Sequence, residues 1–254
     1  MKTVGFHHTI VGNIGDHACT PAHYYNFGHH IVRRFSEPSP DCDLLVVGGG
    51  STHKACIQKV NQFAASGNPT VAWGIKTRES KFASEPETIY FNLVCSLIGT
   101  RDFDMKEVHE FVPCVSCKSK LFDIEYEVKH EVAFFKHQRK SDQIEIPSFM
   151  PTMSNYIDTL EQAIAFIGRA ETVVTNSYHG TYWAQLLGKK VLCIPFSNKF
   201  GGFEFMPTTA NSSNWLSKIK QARKIDGAAQ IEKYRLHNDQ FFEKVMNLKP
   251  SSLE

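Results

Sequence analysis

Short apolar runs alternate with amphipathic stretches along most of this chain, and glycine-rich turns often separate them. Runs at residues 2–6, 43–47, 70–74 and 97–100 predict four strands; in the second, four of five positions are apolar, as in a strand buried on both faces. Ile57, Val60 and Ala64 recur at helical spacing and predict a helix over 53–65. Shorter helices are expected over 18–27 and around 106–111. Further on, 132–135 and 144–146 read as strands. Ile157, Leu160, Ile164 and Ile167 mark one face of a helix, with Thr159 and Gln162 placed for a capping box. The most regular stretch comes next: a strand at 173–175, a helix over 181–187 carrying Tyr182 and Leu186, and a strand at 191–194. Gly188 is placed to cap that helix. Ile231, Tyr234, Phe241, Val245 and Leu248 then predict a helical tail. Alternating strands and helices predict the α/β class, as two Rossmann-like halves over 1–123 and 124–254 that face a central cleft.

Composition narrows the picture little. At 254 residues the chain can bury one large core or two small ones. A net charge of +2 and a pI near 8.1 argue against nucleic acid as the main partner. Seven cysteines, an odd number, fit free thiols in a reducing compartment. Cys114 and Cys117 form a C-x-x-C pair, but no second ligand pair stands at zinc-site spacing and the twelve histidines are scattered, so no metal is expected. No apolar run has the length of a membrane span, and the N-terminal residues do not resemble a secretory leader. A cytoplasmic protein is expected.

Two turns stand after a strand and before a helix, where open α/β sheets bind ligands. One is Gly48-Gly49-Gly50-Ser51-Thr52, whose spacing is not that of a dinucleotide fingerprint. The other is Asn176-Ser177-Tyr178-His179-Gly180. Free N–H groups at its helix start favour an anion, and His179 is the one side chain of the turn of a type suited to proton transfer near neutral pH. His179 is therefore the candidate acid–base group. Its ordinary alternative is to cap the helix or tie down the turn.

Five stretches, taken together and in order, resemble the polysaccharide pyruvyltransferase family. They are Asn13-x-Gly15-Asp16, Val46-Val47-Gly48-Gly49-Gly50, Thr100-Arg101-Asp102, the run from Val173 to Gly180, and Pro195 to Phe203 with its Lys199-Phe200-Gly201-Gly202-Phe203. Met105 and Val115-Ser116-Cys117 stand where that family often has Ser and Asp-Pro. The resemblance implies a GT-B-like fold, with the acceptor on the 1–123 half and the donor on the 124–254 half. It implies phosphoenolpyruvate as donor, no cofactor, and transfer of pyruvate as a ketal onto a sugar of a cell-surface polysaccharide or its lipid-linked precursor. A lipid-linked acceptor would bring peripheral contact with the inner membrane face. His179 and Arg101 would be catalytic, and Lys199, Ser177, Gly180, Asn13, Gly15, Asp16, Gly49 and Gly50 would bind substrate.

Two other functions fit the same architecture. A glycosyltransferase using a nucleotide sugar would ask for an acidic ribose-binding residue near the helix after the His179 turn, where Glu204 is the one at hand. A non-catalytic glycan-binding protein would keep the fold with a degenerate site.

Overall fold

The computed structural model describes residues 2–8, 12–48, 54–77 and 92–248. The chain divides into two compact units, the first made of Met1–Val11, Asp16–Ser116 and Tyr234–Glu254, the second of Gly12–Gly15 and Cys117–Lys233.

In the first unit the strands are β1 (Val4–His8), β2 (His30–Arg34), β3 (Leu44–Val47), β4 (Thr70–Ile75), β5 (Leu97–Thr100) and β6 (Glu110–Phe111). They form one parallel sheet in the order β2-β1-β3-β4-β5-β6. Strand periodicity sends alternate side chains to opposite faces. Leu44, Val46, Val71 and Trp73 enter one core with Phe241 and Val245, whereas Leu45, Val47 and Ala72 enter another with Cys56, Ile57 and Val60 of helix α2 (Lys54–Ala64). Both faces are thus covered, which is why β3 and β4 are buried throughout and mostly apolar. Gly74 has φ +59 where the β4–β5 register slips, a backbone conformation that side chains disfavour.

The second unit has β7 (His130–Lys136), β8 (Thr152–Ser154), β9 (Ala170–Thr175), β10 (Lys190–Cys193) and β11 (Thr208–Thr209), again all parallel, in the order β11-β10-β9-β7-β8. Helix α3 (Leu160–Gly168) starts with the expected capping box between Thr159 and Gln162. Helix α4 (Tyr178–Leu186) is buried along its whole length and ends at Gly188, whose φ is +62. Short α1 (Ile14–His17) and α5 (Trp215–Lys218) also precede the long α6 (Gly227–Met246).

Several expectations need correction. Residues 18–27 hold only a 3-10 turn, Pro21–His23, because Tyr25 and Phe27 turn inward against Trp73 and Phe242. Strand β2, with only the Ile31-Val32 pair apolar, follows as an edge strand. The expected helix near 106–111 is instead a 3-10 turn, Phe103–Met105, and the short edge strand β6. Ile144 and Ile146 pack against the Phe134–Trp215 core without pairing as a strand; β8 takes the edge position. The tail does not stay with residues 124–233. Tyr234–Met246 of α6 belong to the first unit, where Phe241 and Val245 fill its core and Trp73 Nε1 donates to Asn238 Oδ1 at 2.9 Å. Residues 12–15 and 117–123 lie in the second unit rather than the first. Gly49 and Gly50 lie outside the described residues.

Candidate active site

The second unit gathers its chemistry at the carboxyl ends of β7, β9 and β10, the edge at which parallel sheets bind ligands. Strand β9 ends in Thr175, whose Oγ1 donates to Phe135 O at 2.6 Å and accepts from Ser177 N at 2.9 Å. Ser177 is the N-cap of α4. Its Oγ accepts the Gly180 N–H at 3.3 Å, and its carbonyl accepts Thr181 Oγ1 at 3.1 Å. These are local duties, so the hydroxyl and the N–H that the turn offered for a ligand are already engaged with each other. Gly180 is glycine for packing: a Cβ there would sit 2.5 Å from Thr175 Oγ1 and 2.6 Å from Phe135 Cδ1.

His179 lies in the first turn of α4, 6% exposed, its ring 5.3 Å from Trp183 and edge-on to Tyr178 at 5.5 Å. The structure brings Gly15 against it, because a Cβ at Gly15 would overlap His179 Nδ1. Asn13 holds that approach in place. Its Oδ1 accepts from Gly15 N at 3.1 Å and from Asn155 Nδ2 at 2.9 Å, while Ile14 N donates to Asn155 O at 3.0 Å. Asn13, Gly15, Ser177, His179 and Gly180 are therefore one assembly.

Lys199 follows β10 in the 3-10 turn Asn198–Gly202, with its Nζ 4.4 Å from the Phe196 ring centre and 5.2 Å from that of Phe200. Within the aromatic segment, Phe203 stacks on Tyr178 at 4.6 Å and is buried, while Phe196 and Phe205 are 38% and 42% exposed. Gln185 Nε2 donates to Phe205 O at 2.6 Å and ties the segment to α4.

One part of this edge was not anticipated from sequence. The loop after β7 carries His137, Arg139 and Lys140, and Asn176 binds it from the α4 turn. Asn176 Oδ1 accepts His137 N at 2.7 Å, and its Nδ2 donates to Lys140 O at 2.7 Å. Burial and then the Lys199 charge, with Lys140 and Arg139 adding to it, push the His137 imidazole down to about 4. The charges acting on His137 are all cationic. The signal present in sequence was the His137-x-Arg139-Lys140 cluster directly after an apolar strand.

In the first unit, Arg101 and Asp102 are buried at the end of β5. Thr77 N donates to Asp102 Oδ2 at 2.8 Å, Asp102 N donates to Thr100 Oγ1 at 3.1 Å, and Arg101 N donates to Ile75 O at 3.0 Å. Asp102 thus shapes the β4–β5 ends, while Arg101 brings a guanidinium to the carboxyl end of the sheet. Asp16 is half-buried in α1.

No family model and no curated protein sequence matches this chain. Solved structures do match it across nearly the whole length. The Neisseria meningitidis UDP-GlcNAc 2-epimerase bound to UDP-GlcNAc is 10% identical with a TM-score of 0.59, over 98% of this chain and 100% of that one. S. aureus MnaA, in a co-structure with UDP, is 12% identical with a TM-score of 0.53, over 100% of both chains. The glycotransferase of kitacinnamycin is 8% identical with a TM-score of 0.52, over 96% of this chain and 99% of that one. The shared property is the fold: two parallel-sheet α/β units of the GT-B type, with a C-terminal helix.

Proposed function

We propose that this protein is a sugar-modifying transferase, and that its donor is phosphoenolpyruvate, whose pyruvyl group it transfers to a glycan hydroxyl pair as a ketal. The carrying observation is the cationic edge of the second unit, with Arg139, Lys140 and Lys199 around a neutral His137 beside the His179 turn. A small, multiply charged enol phosphate suits such an edge. The donor itself rests on the ordered resemblance of the Ser177-Tyr178-His179-Gly180 and Lys199–Phe203 segments.

In this reading His179 delivers a proton to the methylene carbon of the enol phosphate. The adjacent carbon becomes oxocarbenium-like and is attacked by one sugar hydroxyl. Phosphate then leaves and a second hydroxyl closes the ketal. Lys199 and the 137–140 loop hold phosphate charge, and Gly15 packs against the imidazole. In the first unit, Arg101 is assigned to the donor's carboxylate or phosphate by the resemblance. A glycan or lipid-linked saccharide is the acceptor.

The fold likeness favours a second reading, a nucleotide-sugar donor, because two of the similar structures were solved with UDP or UDP-GlcNAc. Against it, Glu204 is engaged with Lys233, and α4 carries no acidic residue.

The test separates them. Phosphoenolpyruvate with candidate glycosides should release inorganic phosphate only when both are present, and phosphoenolpyruvate should raise Tm. His179→Gln should keep that Tm shift and lower turnover by roughly 10²–10⁴-fold, the range for a lost acid–base group. Arg101→Ala should lose most of the shift. A Tm shift from a UDP-sugar, with none from phosphoenolpyruvate, would replace the first reading with the second.

A further inference from the structure

Sequence alone pairs Cys114 with Cys117 as a C-x-x-C. The first unit pairs it differently. Cys19, in the turn just after α1, and Cys114, just after β6, place their Sγ atoms 3.3 Å apart although 95 positions separate them. Both are buried, 5% and 2% exposed, and Cys114 Sγ also lies 3.2 Å from Ser116 Oγ. A disulfide needs sulfurs about 2.0 Å apart. Closing the bond requires the two sulfurs to approach by about 1.3 Å.

We propose that Cys19 and Cys114 form a redox pair that closes to a disulfide when the protein meets a hydroperoxide. The thiolate of Cys19 attacks one peroxide oxygen; the O–O bond breaks, leaving Cys19 as a sulfenic acid and releasing water from hydrogen peroxide. The Cys114 sulfur then displaces the sulfenic oxygen. The S–S bond forms, the S–O bond breaks, and the oxygen leaves as a second water with the Cys114 proton. The dithiol loses two electrons and the peroxide gains them.

The Arg101 guanidinium favours the Cys19 thiolate, but as the smallest of the influences on it. The hydrogen bond with Cys114, burial and Asp16 oppose this and hold the Cys19 thiol well above its ordinary value. The closure is therefore slow, and stays silent under reducing conditions. Once made, the bond closes a long loop and restricts the unfolded chain, so the oxidised protein unfolds at higher temperature. This inference is independent of which donor the enzyme uses.

The experiment treats the full-length protein with hydrogen peroxide well below its Tm, blocks remaining thiols, and maps the peptides by mass spectrometry without reduction. A Cys19–Cys114 cross-link in the bulk of the chain is expected, with a rise in Tm that a reductant reverses. Cys19→Ser and Cys114→Ser should each abolish the Tm rise, and Cys117→Ser should keep it. A Cys114–Cys117 or Cys56–Cys95 link as the main product would overturn the proposal. So would free Cys19 and Cys114 after exposure that oxidises exposed thiols of a control protein. Because the mapping uses the unsubstituted chain, a variant that fails to fold does not remove the test.

Discussion

At the scale of single residues, two positions next to His179 make sharp predictions. Gly15 has no room for a side chain, since its Cβ would overlap His179 Nδ1. Gly15→Ala must push either the imidazole or the 12–15 segment aside. Misplacing a catalytic group by about 1 Å can cost on the order of 10²-fold in rate. Gly15→Ala should therefore keep its circular dichroism spectrum and lose turnover by about that factor; unchanged turnover would remove His179 from the chemistry. His137 offers a pH reading. Its folded value, about 4, lies below the unfolded value of 6.5. Between these pH values the unfolded chain binds more protons, so stability is full above pH 6.5 and is lost as pH falls toward 4. The full shift would be worth about 3 kcal/mol; because the ring is only half-buried, screening reduces this to about 1 kcal/mol. Urea titrations at pH 7 and pH 4.5 should show a smaller acid loss in His137→Gln than in the parent. Equal losses would mean that burial and the neighbouring cations do not depress the His137 imidazole in the folded protein.

At the scale of elements, α6 is the one whose partners could not be read locally. Its 20 residues begin in the second unit and finish in the first, where Phe241 is fully buried and lies 4.9 Å from Trp73, edge to face. Phe241→Ala should lower stability by roughly 3–5 kcal/mol, the range for an aromatic removed from a packed core. Denaturant unfolding followed by tryptophan fluorescence measures it, and a loss below about 1 kcal/mol would mean the site collapses around the gap. By contrast, α3 was legible in detail. Thr159 and Gln162 stand three apart before an apolar stripe, and the capping box forms as that spacing dictates.

At the scale of the whole molecule, both sheets are parallel and present loops at the carboxyl ends of their strands, and the proposed donor edge is one such set of loops. If the anion enters the second unit as proposed, hydrogen exchange should slow in residues 137–141 and 176–181 when phosphoenolpyruvate is added. The strands beneath should change little, being protected already. Protection that leaves both segments untouched would count against the basic edge as the donor site. No helix among the described residues is long and apolar enough to cross a membrane.

Sequence alone determined what depends on neighbours along the chain. Buried strands such as β3, β4 and β9 show apolar runs because both faces of a parallel sheet are covered. The starts and stops of α3 and α4 follow from caps within a few residues. The His179 turn was legible as a turn between a strand and a helix, although the helix begins at Tyr178 with Ser177 as its cap rather than at 181, which puts His179 in its first turn. Only the tertiary structure decided the rest. Edge strands β2, β6 and β8 carry at most two adjacent apolar residues, too few to mark a strand, and backbone pairing with a neighbour makes them strands. Gly15 meeting His179, Asn176 holding the 137–140 loop, Cys19 meeting Cys114 and Phe241 filling the first core all join residues distant in sequence. Periodicity is blind to such pairs, since it reports which face a residue occupies and not which partner that face will meet.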